Sequence, residues 1–454
     1  MSKVIVISSD AMVGEDLDYF QTLPAFKKYF KHGAKITNVS SIYPTVTFPA
    51  HATMMTGMYP DRHGVFSNMQ LIPGSDPVPW QWDYSFLKCS DIFREAKKSG
   101  KTTAAVMWPV TAKNPAIDFH IADYWAQDEK DSNEAAFART GTTPEVMKIV
   151  KKNMHLFQGS EREHPQRDEF CMACAADIIR EFQPDLMLMH PANIDAVRHD
   201  YGVFGPHIQN AVNDLNRWIL MIGQALEEAD ILEETNLFLV SDHGQMDVQR
   251  NICLNVLFAE MGWIRLDSEG KIIDWDVYCL SNGMSALIFL KNPADQRLYE
   301  EVYKYLKDLM NEGVYGFSEI YTEAQARIGR RFGGQFSFVI ETDGYTAFGD
   351  DYTRPLVKPL TNKDYRFGRA THGYLPEKGP QPILLAKGPD IKENICLSGN
   401  HIVNEAPTYA KILGFTLPDA DGNVITEILR QASLCGGFGR VYSRPFILQS
   451  NDVQ

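Results

Sequence analysis

The sequence predicts an α/β layered core, with a mostly parallel central sheet flanked by helices and a smaller α+β insertion. Three observations carry that expectation. Short apolar runs end abruptly in polar residues, helix-period segments lie between them, and the pattern changes character across residues 251–367. The apolar runs are residues 4–7, 103–107, 186–189, 237–240 and 382–386. Continuous runs of that length suit strands buried on both faces of a parallel sheet. Ile208, Ala211, Val212, Leu215, Trp218, Ile219, Ile222 and Leu226 recur at three- and four-residue steps and mark one amphipathic helix. Strands alternating with helices give the layered core.

Within 251–367, residues 279–290 read as a strand, 296–310 as a helix and 335–341 as another strand. That stretch is the expected α+β insertion. The core then comprises 1–250 and 368–454. Residues 111–168 are polar and aromatic, carry Trp125, show no clear period, and are read as a lid insertion over a site.

The 454 residues are 44% hydrophobic and 22% charged, which is ordinary for a globular chain. A net charge of −14 disfavours duplex nucleic acid, whose binding needs unopposed Lys and Arg. It does not oppose a small anionic substrate, because a bound divalent cation reverses the local field. The first apolar run is far shorter than the roughly 7–15 residues of a secretory core or the about 20 of a membrane span. No membrane partner is therefore expected. Seven scattered cysteines suit reduced thiols and a cytoplasmic location. Cys171 and Cys174 form a C-x-x-C inside a helix expected over 170–182, and are read as helix packing. The sequence leaves the oligomeric state open.

Candidate ligands follow the strands. Asp10 ends the first apolar run, and Asp242-His243 follow another and lead into Gly244. Asp195 and His199 stand four residues apart, a spacing that puts both on one side of a helix. His372 precedes Gly373 where the core pattern resumes. Carboxylates and imidazoles without cysteine suit Zn²⁺, with Mn²⁺ or Fe²⁺ as alternatives.

The segments Pro44-Thr-Val-Thr47-Phe-Pro-Ala-His51, Thr56-Gly57-Met-Tyr-Pro60 and His63-Gly64-Val-Phe-Ser-Asn68 complete the pattern. Together with Asp195-x-x-x-His199, Ser241-Asp242-His243-Gly244 and Thr371-His372-Gly373-Tyr374, they resemble the type I phosphodiesterase/nucleotide pyrophosphatase family of the alkaline phosphatase superfamily. Pro407-Thr-Tyr-Ala-Lys-Ile-Leu-Gly414 is similar to a helix near the end of that superfamily's core. The resemblance implies an alkaline-phosphatase-like fold and two divalent ions. One is held by Asp10, Asp242 and His243 and touches Thr47, the implied nucleophile. The other is held by Asp195, His199 and His372. Asn68 is the implied contact for the phosphoryl oxygens, and Phe48 the implied stacking surface for a base. His51 and His63 carry no implied ligand role and are read as hydrogen-bonded turns.

The physical logic agrees, since a threonine hydroxyl needs a cation to favour its alkoxide, and two metals clamp an in-line displacement. The implied reaction is hydrolysis of phosphate diesters or nucleotide pyrophosphates through a covalent phospho-threonine. The expected partner is thus a small phosphate ester, a nucleotide included. Ala50 departs from the Asn that nucleotide-cleaving members often carry. A phosphonoacetate hydrolase or phosphomonoesterase with the same metals is the alternative reading, and a vestigial binding protein is a third.

Overall fold

Each of the five apolar runs becomes a strand of one sheet in the computed structural model, which describes residues 2–430 except 76, 158–162 and 362–364. Residues 431–454 of the expected C-terminal core segment, Cys435 among them, lie outside the described residues. The strands are β1 (Lys3–Ser8), β2 (Ala34–Ile36), β3 (Thr103–Val106), β4 (Phe119–Ile121), β5 (Leu186–Met189), β6 (Thr235–Val240), β7 (Leu384–Lys387) and β8 (Ile395–Leu397). Their order is β8-β2-β7-β6-β1-β5-β3-β4. Only β7 runs antiparallel to its neighbours among the described residues.

Burial on both faces explains the unbroken apolar runs. In β1, Ile5 and Ile7 face one cluster with Ile178, Trp218 and Ile222, while Val4 and Val6 face another with Phe48, Phe238 and Tyr409. This is the period-two alternation of a strand covered on both sides. The helices that supply these layers are α1 (Thr47–Thr56), α2 (Gln166–Phe182), α3 (Asn193–Tyr201), α4 (Pro206–Glu228) and α5 (Glu405–Leu413). All eight apolar positions expected to face inward on α4 are buried. Cys171 and Cys174 are buried free thiols on α2, as helix packing requires. Among the described residues no helix is long and apolar enough to cross a membrane.

A second, four-stranded antiparallel sheet runs Val277–Ser281, Ser285–Leu290, Phe338–Thr342 and Phe317–Thr322 in spatial order. Helix Gln296–Glu312 covers it with Val302, Leu306 and Leu309. The single strand expected over 279–290 is in fact a hairpin. Asn282-Gly283 turns the chain, with Gly283 at φ +79°, and an Asn-Gly pair between apolar runs is a strong hairpin signal. The hairpin tip reaches the core, where the Met284 amide donates to the His372 carbonyl at 2.8 Å. Gly373 makes this approach possible. Its φ is +101°, and a Cβ there would lie 1.7 Å from the Asn282 carbonyl oxygen.

Residues 111–168 differ from the expected lid. They contribute edge strand β4 and the helices Asn133–Arg139 and Pro144–Asn153, whose Phe137, Val146, Ile149 and Val150 enter the core. Thr143 caps the second helix and Pro144 opens it, a helix-start signature obscured by the polar residues around it.

Candidate metal centre

Parallel strands place ligand groups at their carboxyl ends, and three adjacent strands do so here. Asp10 lies just beyond β1, His190 directly follows β5, and Asp242 and His243 follow β6. Asp10 Oδ2 accepts from His190 Nε2 at 3.0 Å, and Asp242 Oδ1 accepts from the Ala11 amide at 3.2 Å. The remaining oxygens, Asp10 Oδ1 and Asp242 Oδ2, are buried with no hydrogen-bond donor among the described residues. Both face one atom. His243 Nε2 is 3.5 Å from Asp10 Oδ1 and 3.2 Å from Asp242 Oδ2. Thr47 Oγ1 stands 3.1 Å from the same nitrogen. Four donors around a tetrahedral ion at zinc bond lengths are about 3.3–3.4 Å apart. The separations at His243 fit that spacing, and a cation would satisfy both orphaned oxygens.

The electrostatics point the same way. Burial, aided by Asp10 beside it, pushes the Asp242 carboxyl up to about 7. Burial likewise raises Asp10, with Asp195 adding to it. Two neighbouring buried acids that resist ionisation are a site lacking positive charge.

A second group adjoins the first. Asp195, His372 and His243 offer ligand atoms within 4.8 Å of one another, so His243 borders both groups. Asp195 and His199 share one side of α3, with Asp195 Oδ2 3.1 Å from His199 Nε2. His199 Nδ1 donates to the Ala370 carbonyl at 2.7 Å, which presents Nε2 toward Asp195. Burial works against the Asp195 charge, but His199, His372 and His243 outweigh it and hold the carboxyl below its usual range. Burial, reinforced by His243, holds His372 well below the ordinary histidine range, so it is a neutral imidazole able to coordinate. The structure therefore gathers all six expected ligands and Thr47 at one edge of the sheet.

A family model described as type I phosphodiesterase / nucleotide pyrophosphatase matches residues 4–374. The chain belongs to that family. It is 22% identical over 446 residues to human ectonucleotide pyrophosphatase/phosphodiesterase family member 5, covering 95% of this chain and 78% of that protein. It is 23% identical over 268 residues to ectonucleotide pyrophosphatase/phosphodiesterase 2 of Saccharomyces cerevisiae, covering 56% of this chain and 48% of the yeast protein. An inactive variant of the murine member 5 in complex with AMP superposes with TM-score 0.65, at 18% identity, covering 95% of this chain and 100% of that one. The human member 5 structure gives 0.66 at 19% identity, with the same coverage. These likenesses establish the alkaline-phosphatase-like fold, and family membership assigns the chain to the phosphodiesterase class of hydrolases.

Within this phosphodiesterase fold, Thr47 opens α1, where the helix dipole favours an oxyanion. His51, one turn on, donates from Nδ1 to the Thr47 carbonyl at 2.8 Å and accepts from Ser8 Oγ at 2.9 Å. His63 Nε2 meets Thr53 Oγ1 at 3.0 Å, a structural contact within the same segment. Asn68 is buried, and its Oδ1 accepts from the Phe48 amide at 2.8 Å. That bond fixes the orientation of the carboxamide, whose NH₂ takes no part in it.

Phe48 departs from expectation. Its ring is 1% exposed, packed into the core beneath Trp80 with ring centres 5.2 Å apart, so it has no free face for a base. The partly exposed aromatic surface is its neighbour. Trp80 and Trp82 both contact Trp125, and Trp82 also contacts Tyr124. Two other contributors escaped the sequence reading. His190 held no role there, although it follows a strand as Asp10 and Asp242 do. Gln245, three residues beyond Asp242, donates to the Asp195 carbonyl at 3.0 Å.

Proposed function

We propose that this chain hydrolyses phosphate diesters or nucleotide pyrophosphates with Thr47 as nucleophile, at two divalent cations, zinc foremost. The convergence of Thr47 Oγ1 and two donorless carboxylate oxygens on His243 Nε2 carries the reading. Asp10, Asp242, His243 and Thr47 would hold one cation, and Asp195, His199 and His372 the other. When bound, the pair supplies Lewis acidity that lowers the pKa of a hydroxyl and offsets charge on phosphoryl oxygens.

The chain's own residues do the rest. Thr47 Oγ attacks phosphorus, its proton is lost, and the bond to the leaving oxygen breaks. Water then cleaves the phospho-threonine and restores the hydroxyl, with net retention at phosphorus. Asn68 NH₂ steadies an equatorial oxygen. The Trp80–Trp82–Trp125–Tyr124 surface takes the stacking role first expected of Phe48, and AMP in the murine relative supports a nucleotide as leaving group or product. The free cysteines support a reducing, cytoplasmic setting, which fractionation of cells making the tagged chain would check.

The test compares rates of the zinc-loaded protein on bis-p-nitrophenyl phosphate and a nucleotide p-nitrophenyl ester with those on p-nitrophenyl phosphate and phosphonoacetate. The diesters should dominate, and Thr47→Ala should keep its metals while losing nearly all turnover. Dominant monoester or phosphonate turnover overturns the substrate class. Retained activity in the variant overturns the nucleophile.

A further inference from the structure

Gln245 is fully buried three residues beyond Asp242. Its Nε2 donates to the Asp195 backbone carbonyl at 3.0 Å and also to Asp195 Oδ1. The amide orientation is forced, because turning Oε1 toward Asp195 would set acceptor against acceptor. Gln245 Oε1 is left buried with no hydrogen-bond donor among the described residues. A methionine or leucine would fill the same volume without an unsatisfied acceptor, so packing does not account for a carboxamide here.

The two Asp195 oxygens are thereby divided. Oδ1 takes the Gln245 amide, and Oδ2 stands 3.1 Å from His199 Nε2. We propose that Gln245 is a positioning residue that makes Asp195 a one-oxygen ligand, offering Oδ2 alone to a cation shared with His199 and His372. This rests on the two-cation reading above. Three protein donors and one open position distinguish a catalytic zinc site from a closed structural one. A carboxylate free to swing both oxygens inward would fill the position a substrate needs. The bond to the Asp195 carbonyl adds a second effect. It ties the first turn of α3 to the segment carrying Asp242 and His243, so one side chain links the two ligand groups. Partners of this kind alter metal affinity without touching the metal.

The test uses the full chain with Gln245→Met, which keeps volume and removes the donor. Gln245→Glu, which keeps length and replaces the donor with an acceptor, guards against a misfolded first variant. Zinc is titrated against a chromogenic chelator, and the visible spectrum of the cobalt-loaded protein is recorded. The wild type should bind two ions. Each variant should weaken one by about 10–100-fold and leave the other within about twofold. The cobalt bands of the weakened site should shift toward higher coordination as Asp195 supplies both oxygens. Two tight sites with an unchanged spectrum overturn the inference alone, as does equal weakening of both sites with a lowered melting temperature, which marks a merely structural role. A wild type that takes up no zinc overturns this inference together with the reading it rests on.

Discussion

Asp242→Asn should change the sign of its effect on stability when metal is removed. In the metal-free fold the Asp242 carboxyl titrates at about 7, raised from 3.8 by burial and by Asp10. Between those values the folded state holds a proton that the unfolded chain has released. Stability therefore falls as pH rises through this window and levels off above it. Ionising Asp242 at pH 8 in the stripped protein costs about 4 kcal/mol relative to the unfolded chain. Asparagine keeps the acceptor for the Ala11 amide and escapes that cost. In a chain of this size about 4 kcal/mol corresponds to roughly 4 °C in melting temperature. After chelation at pH 8 the variant should therefore melt about that much above the wild type. At pH 5 the folded wild type still holds its proton while the unfolded chain has largely released it, a cost of about 1.7 kcal/mol, so the gap should narrow to about 2 °C and close only below pH 3.8. With zinc present the order should reverse, because the wild type keeps a ligand that the variant lacks. Thermal melts of both proteins with zinc and with chelator, at both pH values, test this. A variant destabilised equally in all four conditions would refute the reasoning, since the carboxylate would then be only a structural acceptor.

Glu341 should impose a separate pH dependence that metal leaves untouched. Burial pushes it up to about 7 against the pull of Lys378, so it should lower stability by about 3 kcal/mol as pH rises from 4.5 to 7. Glu341→Gln should remove that slope in urea unfolding, and an identical slope in both proteins would show that the burden lies elsewhere. Asn68→Asp keeps the acceptor for the Phe48 amide and removes the donor proposed to meet a phosphoryl oxygen. Its kcat/KM should fall by about 10²–10³ or more with zinc content intact, and an unchanged value would take Asn68 out of the site.

The features legible in the sequence were those that depend on local pattern. The strands β1, β5 and β6 announced themselves because burial on both faces leaves only apolar residues, and α4 because its buried stripe repeats without interruption. The candidate ligands stood out because carboxylates and imidazoles past apolar runs are brought to one sheet edge. Phe48 was misjudged because its exposure is decided by Trp80, a residue distant in sequence that no local pattern places over it. The hairpin within 279–290 was missed although its Asn-Gly turn was visible, since the apolar run on each side read as continuous. His190 and Gln245 contact candidate ligands rather than standing among them. Their partners Asp10 and Asp195 lie far away in sequence, and only the folded chain brings them together.

Charge balance connects the fold to the substrate class. Asp10, Asp195 and Asp242 contribute three negative charges at most, while burial keeps His51, His190 and His372 neutral by lowering their pKa values. Two divalent cations would leave that assembly, while the Thr47 hydroxyl keeps its proton, one positive charge in excess, which matches the single negative charge of a phosphodiester. A monoester dianion would need a further cation close by. The buried guanidinium groups around the site are already committed, with Arg167 paired to Asp123 and Arg198 to Asp16. Freeing either would leave a buried carboxylate without its partner, which costs several kcal/mol. The diester preference proposed above would thus follow from how the core spends its arginines as much as from the proposed metal ligands, and the substrate comparison tests both at once.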